Sequence, residues 1–147
     1  MDGDTMRRRL MLKSIAQTAP VHTYIAEATY NENCYADADH VIHTNVSMYQ
    51  SVESPAMALE GVISVDSGDT LVLSGTQSFR NYIVITFRRN NNSVGSINIQ
   101  NLTAFNQTVT SSFSGEIDAI SIRFAGGGSG MTAVNLKITK NGEEWLN

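Results

Sequence analysis

Residues 116–140, EIDAISIRFAGGGSGMTAVNLKITK, carry the clearest structural pattern in the chain. Apolar residues occupy alternate positions on both sides of the glycine-rich stretch: Ile120, Ile122 and Phe124 before it, and Val134, Leu136 and Ile138 after it. Polar or charged residues stand between them: Ser121, Arg123, Asn135, Lys137 and Thr139. Because successive side chains of a β-strand point to opposite faces, this pattern predicts two strands that are buried on one face and solvated on the other. The glycines between them predict a flexible hairpin loop.

The same alternation extends toward the N-terminus in short segments separated by turn residues. These segments are LEGVISV (59–65), TLVLSG (70–75), NYIVITF (81–87) and VGSINIQ (94–100), with the turns DSGD (66–69) and RNNNS (89–93). VHTYIAEATY (21–30) predicts a first strand, and residues 31–55 predict loops with one strand near residues 41–46. Short strands with frequent turn signals are typical of a sandwich or barrel. We therefore predict an all-β, antiparallel, jelly-roll-like β-sandwich over residues 20–147.

Composition limits the classes of protein that this chain can represent. Its 147 residues, with 41% hydrophobic and 16% charged, fit one domain with a real core. The single cysteine, Cys34, excludes an internal disulfide. No apolar run approaches the roughly 20 residues of a membrane span, and the first residues lack a secretory apolar core, so we expect synthesis in a cytoplasm. A net charge of −4, with no Lys or Arg between residues 14 and 79, argues against a nucleic-acid partner. That acidic stretch is either a solvated face or a surface that binds cations or a basic partner.

The first 19 residues differ from the rest and predict a separate arm. Four of the ten basic residues lie between residues 7 and 13, and Asp4 or Thr5 can cap a short helix that ends before Pro20. A helix of this length is marginal alone, so the arm either docks on its own domain or binds another partner. We predict the second, with these anchoring residues: Met6, Arg7, Arg8, Arg9, Leu10, Met11 and Leu12.

Candidate chemical sites are few. The cluster Asp37, Asp39, His40 and His43 contains metal-ligand residue types, but its spacing matches no known metal motif. The turn from Asp66 to Asp69 could offer oxygens to calcium, although Asp and Gly also occur in turns that bind nothing. Cys34 with a histidine lacks the local features of an activated nucleophile. Carboxylate pairs would have to come from residues that the sequence does not bring together: Glu53, Glu60, Glu116 and Asp118. We therefore predict no catalytic site, no metal and no cofactor.

One group of residues suits a sugar ligand, which requires an aromatic face together with amides or charged groups. The group lies on one predicted strand and its exit turn: Arg80, Tyr82, Arg88, Asn90, Asn91 and Asn92. In the alternative, Tyr82 packs within the sheet and the asparagines only form the turn. Trp145, the third residue from the end of the sequence, either caps the core or reaches a neighbouring subunit.

Four segments, in this order, carry a resemblance to a known group of domains: GVISVDSGDTLVLSG (61–75), NYIVITFRRNNNSVGSI (81–97), EIDAISIRFAGG (116–127) and VNLKITKNG (134–142). The chain resembles jelly-roll domains of the galactose-binding and carbohydrate-binding-module type found in tail fibres, baseplates and virion surfaces of tailed bacteriophages. The resemblance implies a virion-associated module made in a bacterial host, assembled with itself, as a trimer, or with other virion proteins, and exposed to host-surface glycan.

The function predicted from these observations is non-enzymatic. We expect a structural and adhesive module of a phage particle, with the arm anchored to the particle and the sandwich exposed. Two alternatives stay open, namely an autonomous carbohydrate-binding module and a capsid decoration protein.

Overall fold

The computed structural model describes residues 22–46, 52–77, 83–99, 104–124 and 130–147. The predicted arm, residues 1–19, lies outside these ranges, as do Arg80, Tyr82 and most of the glycine-rich loop. The described residues form twelve strands: β1 Ala28–Asn31, β2 Cys34–Ala36, β3 Ile42–Val46, β4 Val52–Glu53, β5 Met57–Val65, β6 Thr70–Gln77, β7 Ile83–Arg89, β8 Asn92–Ile99, β9 Ala104–Thr110, β10 Gly115–Phe124, β11 Gly130–Lys140 and β12 Glu143–Leu146. No helix that could cross a membrane occurs in these ranges.

The strands form two antiparallel sheets that pack face to face. The seven-stranded sheet has the order β1-β2-β3-β11-β6-β9, with β12 paired to β11 beside β3. The five-stranded sheet has the order β4-β10-β7-β8, with β5 also paired to β10. This architecture confirms the predicted antiparallel, jelly-roll-like sandwich.

The core lies between the two sheets and is built from the alternating residues of the sequence. Ile120 and Ile122 of β10 stand opposite Phe87 and Ile85 of β7, and all four are fully buried. On the other sheet, Val134, Leu136 and Ile138 of β11 are buried, while Asn135 and Lys137 between them are exposed. Burial of such side chains contributes roughly 1.5–3 kcal/mol each. The alternating pattern therefore identified the inward face of these strands correctly.

Trp145 belongs to the core. Its side chain is 1% exposed, and its ring lies 5.6 Å from that of Phe87 in the opposite sheet. The ammonium of Lys140 lies 5.8 Å from the centre of the indole. The first of the two predicted roles, core packing, is thus confirmed.

The turn at residues 66–69 is confirmed as a turn, and it carries the chain from one sheet to the other. The strand before it, β5, pairs with β10, whereas the strand after it, β6, pairs with β9 and β11. Both carboxylate oxygens of Asp69 accept hydrogen bonds, from the backbone N–H of Asp66 at 2.8 Å and from the side-chain amide of Asn141 at 2.9 Å. These bonds lower the pKa of Asp69 and explain the residue without a metal.

The region before residue 56 contains more strand than the sequence predicts. The strand near residues 41–46 is confirmed as β3, but the hairpin of β1 and β2 was not anticipated. Its turn is stabilised locally, because the side chain of Asn31 accepts a hydrogen bond from the backbone N–H of Asn33 at 2.8 Å. The predicted first strand at residues 21–30 is only partly correct, since continuous pairing begins at Ala28.

Residues 22–26, which we call the seam segment, join the two sheets along one side of the sandwich. Toward the seven-stranded sheet, the N–H of Thr23 donates to the carbonyl of Trp145 at 3.1 Å. Toward the five-stranded sheet, the N–H of Ala26 donates to the carbonyl of Ala58 at 3.0 Å, and the carbonyl of Tyr24 accepts from Glu60 at 2.8 Å. Because the segment divides its bonds between two sheets, it forms isolated bridges instead of a continuous strand.

Gly75 provides a test of the packing between β6 and β11. Its φ is 144°, and a Cβ at this position would overlap the backbone carbonyl oxygen of Asn135. We expect Gly75→Ala to lower the free energy of unfolding by about 3 kcal/mol, through overpacking and backbone strain. Urea denaturation followed by the fluorescence of Trp145 measures the loss.

The matched control is Gly142→Ala. Gly142 also has a positive φ, 86°, but a Cβ there would meet no atom within 4 Å. Gly142→Ala should therefore lower the free energy of unfolding by about 1 kcal/mol, because only the backbone conformation is strained. Equal losses for the two variants would contradict the packing explanation.

Candidate functional site

The structure brings together the described part of the predicted sugar-binding group. Arg88 lies near the end of β7, Asn90 and Asn91 form the turn into β8, and Asn92 begins β8. Asn90 and Asn91 have φ values of 49° and 67°, a left-handed conformation that asparagine tolerates better than most residues. The asparagines therefore have a structural role as turn residues, and sugar binding by this group stays a prediction.

Arg88 is held by a hydrogen-bonded network on the outer face of the five-stranded sheet. Its Nη2 donates to Glu53 Oε1 at 2.6 Å, and its Nε donates to Ser121 Oγ at 2.9 Å. The hydroxyl of Ser121 in turn donates to the same Glu53 oxygen at 3.0 Å. Ser121 was predicted to face solvent but is fully buried, because Arg88 and Glu53 interact across it.

This network also sets the ionisation of Glu53. Partial burial by itself would raise the pKa of the carboxyl group. The hydrogen bonds from Arg88 and Ser121, together with the charges of Arg88 and Arg123, outweigh burial and hold the pKa of Glu53 below its ordinary value. Glu53 is therefore an ion-pair partner and is poorly suited to act as a general acid at neutral pH.

Two of the other candidate carboxylates, Glu116 and Asp118, share a basic partner. Arg89 lies 3.4 Å from Glu116 and 3.6 Å from Asp118, and Asp118 also accepts a hydrogen bond from the N–H of Asn90 at 3.1 Å. Glu60 lies on β5. The carboxylates of Glu116 and Asp118 thus flank one guanidinium group.

The cluster around residue 37 organises a turn. The carboxylate of Asp37 contacts His43 Nε2 at 2.7 Å and accepts hydrogen bonds from the backbone N–H groups of Asp39 and Val41. His40, whose φ is 63°, instead places its Nδ1 2.7 Å from the carbonyl oxygen of Ile25. In the part of the chain that the structure describes, no group of three or more His, Cys, Asp or Glu residues could hold a metal ion.

Cys34 is a core residue. Its side chain is 1% exposed, and its Sγ lies 3.9 Å from the sulfur of Met57. Burial raises the pKa of the Cys34 thiol, which disfavours the reactive thiolate.

A hollow of about 250 Å³ on the outer face of the seven-stranded sheet combines aromatic and polar side chains. We call it the tyrosine hollow. The lining residues on its sheet side include Ser74, Thr139, Lys137 and Glu144, whose side chains end in hydroxyl, ammonium and carboxylate groups. These residues come from three neighbouring strands, because Ser74 of β6 pairs with Lys137 of β11, and Thr139 of β11 pairs with Glu144 of β12. His22 and Tyr24 complete the lining from the seam segment.

Tyr24 is exposed but firmly positioned. The side chain is 39% exposed, whereas its chain neighbours Thr23 and Ile25 are buried. Its ring stacks on His40 with 4.5 Å between centroids, and the His22 ring meets it nearly at right angles at the same distance. Backbone hydrogen bonds hold the segment on both sides of the ring. An exposed aromatic ring held this tightly loses little conformational entropy when it contacts a ligand.

The tyrosine hollow was not anticipated from the sequence. One local signal was available: in the stretch from His22 to Ile25, alternation puts His22 and Tyr24 on one face and the buried residues on the other. Lys137 and Glu144 carried no such signal, since solvent-facing charges are common on any strand.

Comparison with known proteins gives limited information. No protein-family profile matches the sequence, and no curated protein matches it. Among solved structures, three variants of a carbohydrate-binding module of family 29 are similar, one of them complexed with cellulohexaose. Identities are 15–16%, TM-scores are 0.46–0.47, and the alignments cover 86% of this chain and 92–94% of those chains. At these values the likeness carries no functional argument, and the fold assignment follows from the strand pairing described above.

The lowered pKa of Glu53 gives a pH-dependent prediction. A carboxyl group whose pKa is lower in the folded state stabilises the fold above its unfolded pKa of about 4.3. That contribution is lost as the pH falls through the lower pKa of the folded protein. We expect Glu53→Gln to reduce the free energy of unfolding by about 0.5–1 kcal/mol at pH 7. The difference from the unmodified protein should shrink as the pH falls below about 4.3.

Urea titrations between pH 7 and pH 3 measure this difference. Glu60→Gln, at an exposed position on β5, is the control and should change stability little at any pH. A Glu53→Gln effect that does not vary with pH would argue against the ion pair as its cause.

Proposed function

We propose that the protein is a non-enzymatic carbohydrate-binding module, with the tyrosine hollow as its binding site. The observation that carries the proposal is the exposed ring of Tyr24 beside hydroxyl, ammonium and carboxylate groups from three adjacent strands. Saccharides present C–H groups on their ring faces and hydroxyls around their edges. A site that recognises them therefore needs an apolar ring surface next to both donors and acceptors of hydrogen bonds.

The residues of the tyrosine hollow fit this requirement. Lys137 supplies a donor, Glu144 supplies an acceptor, and the hydroxyls of Ser74 and Thr139 can act as either. Adjacent strands lie roughly 4.8 Å apart, so these groups are spread over the width of a sugar ring. The hollow of about 250 Å³ lies below the roughly 300–1,000 Å³ typical of drug-sized ligands, which favours a single saccharide unit.

Binding without catalysis also agrees with the ionisable groups described above. Glu53 is ion-paired with Arg88, Asp37 is hydrogen-bonded to His43, both carboxyl groups have lowered pKa values, and the Cys34 thiol is buried. None of these three groups has the perturbation that would suit it to act as an acid, base or nucleophile near pH 7. Arg88 and Asn90–Asn92, with Arg80 and Tyr82, stay a second predicted contact surface for the same class of ligand.

Replacing Tyr24 tests the proposed site. Tyr24→Ala removes the ring surface, and we expect it to weaken saccharide binding at least tenfold, which corresponds to about 1.4 kcal/mol. A glycan array identifies the ligand, and isothermal titration calorimetry measures its dissociation constant.

The matched control is Met131→Ala. Met131 is also exposed and points outward from the same sheet, but it lies six residues from Lys137 on β11, or about 20 Å. Binding by this variant should equal that of the unmodified protein. Equal affinities for Tyr24→Ala and Met131→Ala would exclude the tyrosine hollow as the site.

We also propose, from the sequence, that residues 1–19 anchor the sandwich to a phage particle as part of a virion module. The support is the basic and apolar composition of residues 6–13 ahead of a domain rich in Asn, Ser and Thr. This role is compatible with carbohydrate binding, since an anchored module can present its sandwich to host-surface glycan.

Removal of residues 1–17 tests the anchoring proposal. We expect the full chain to form a discrete oligomer and the truncated chain to be monomeric, because the anchoring residues are lost. Light scattering measures both molar masses, and urea denaturation of the truncated chain serves as the control that the sandwich is still folded. Unchanged assembly of the truncated chain would refute the proposal.

A further inference from the structure

A second groove, of about 350 Å³, lies between the edges of the two sheets. One wall is β8, which ends the five-stranded sheet, and the other is β9, which ends the seven-stranded sheet, within the ranges that the structure describes. The loop of residues 111–113 contributes the rest of the lining. This groove, which we call the edge groove, is on the side of the sandwich away from the seam segment, so it is separate from the tyrosine hollow.

We infer that the edge groove is a second saccharide site and that it selects uncharged sugars. The inference extends the proposed carbohydrate-binding function and rests on it. Its basis is the composition of the groove, its fixed shape and the way in which the edge of β8 is already bonded.

The lining of the edge groove is polar but uncharged. All nine residues that line it are neutral: Ser96, Ile97, Asn98, Gln107, Val109, Thr110, Ser111, Ser112 and Phe113. Hydroxyl and amide groups pair well with sugar hydroxyls but cannot compensate the charge of a phosphate, sulfate or carboxylate ligand. A neutral, hydroxyl-rich ligand is therefore favoured over an anion.

The apolar part of the groove suits the C–H face of a sugar. Ile97 is 7% exposed, and Val109 and Phe113 are partly buried against the core. Phe113 stacks on Phe87 with 5.5 Å between ring centres and covers Gly95, where a Cβ would overlap its ring. Gly95 thus allows Phe113 to lie against the sheet at the groove.

The loop that presents Phe113 is fixed before any ligand binds. Ser111 Oγ donates to the carbonyl of Phe113 at 2.7 Å. The backbone of Ser111 makes two further bonds to the turn between β5 and β6, one to Asp69 and one from Gly68, both at 2.8 Å. A wall fixed in this way lowers the entropic cost of binding.

The bonding of β8 disfavours an extended peptide as the ligand. A peptide strand binds to a sheet edge through a row of unpaired backbone groups. Here the carbonyl of Asn98, one of the residues that line the groove, already accepts a hydrogen bond from Gln107 Nε2 at 2.7 Å. Gln107 thus occupies one backbone acceptor of this edge and links the two sheets, which interrupts the row of groups that a peptide strand would need.

NMR titration with oligosaccharides tests the inference. The probes are hexasaccharides of β-linked glucose, mannose and xylose, added one at a time, with a hexasaccharide of glucuronic acid as the charged comparison. The protein is the full chain carrying Tyr24→Ala, so that binding at the tyrosine hollow is removed. We expect at least one neutral probe to shift the amide signals of Ser96, Asn98 and Ser112, and the charged probe to shift them at least tenfold less at equal concentration.

Two asparagine variants then locate the site. Asn98→Ala, at an exposed position on β8, should weaken binding of the neutral probe at least tenfold. Asn106 is exposed on the outward face of β9 and does not line the groove. Asn106→Ala should therefore leave binding of the neutral probe unchanged. Both side chains are exposed, so the folded spectrum should be kept in each variant.

The outcomes separate this inference from the proposed function. If a saccharide binds the unmodified protein only at the tyrosine hollow, or if the two asparagine variants behave alike, the edge-groove inference is wrong and the proposed function stands. If no saccharide on the array or in the titrations binds the unmodified protein, both are wrong. Equal shifts from the charged probe would overturn the selectivity for uncharged sugars. Shifts caused by an extended Ser-Val hexapeptide, but by no saccharide, would make the groove a peptide site.

Discussion

The structure depends on a short segment that bonds to both sheets at once. Residues 22–26 use backbone hydrogen bonds on one side to reach β12 and on the other to reach β5. Between them, the side chain of Ile25 is fully buried in the core. The side-chain oxygen of Asn147 accepts a further bond, from the N–H of Ile25 at 2.9 Å. Since an unpaired buried backbone group is costly, this arrangement fixes how the two sheets meet along that side. It also fixes Tyr24, whose ring must then point outward.

Local patterns in the sequence were sufficient for the fold class but not for the topology. The inward residues of β7, β8, β10 and β11 follow directly from alternation, although Val84 and Ser121 on the outer face of the five-stranded sheet are buried as well. The partners of those strands depend on contacts between distant residues, and no local pattern records them. The turn at Asp66–Asp69 looks like a hairpin turn but joins two sheets. Similarly, Ser121 follows the pattern of an exposed residue, yet it is covered by Arg88 and by Glu53, which lies 68 residues away in the chain.

The same limit applies to the candidate sites. The sequence grouped Arg88 with Asn90–Asn92. In the structure, Arg88 already donates hydrogen bonds to Glu53 and to the carbonyl of Asn91, and the backbone N–H of Asn90 donates to Asp118. The tyrosine hollow draws Tyr24 and Lys137 from positions more than 100 residues apart, so only the folded chain brings them together. Charged residues on strands are common, and what distinguishes Lys137 and Glu144 is the aromatic ring that lies beside them.

The bridge between Thr23 and Leu146 has a consequence for synthesis of the protein on the ribosome. The two residues lie more than 120 positions apart in the chain, so the seam segment cannot pair with β12 until Leu146 has left the exit tunnel. Until then the seam segment lacks its partner in β12 and the indole of Trp145 has no place in the core. A nascent chain at that stage exposes an unpaired sheet edge together with apolar surface, which are the features that chaperones recognise and that promote aggregation. Pairing of the seam segment with β12 therefore follows synthesis of the other described strands, and the interval before it is the period in which the chain most needs protection.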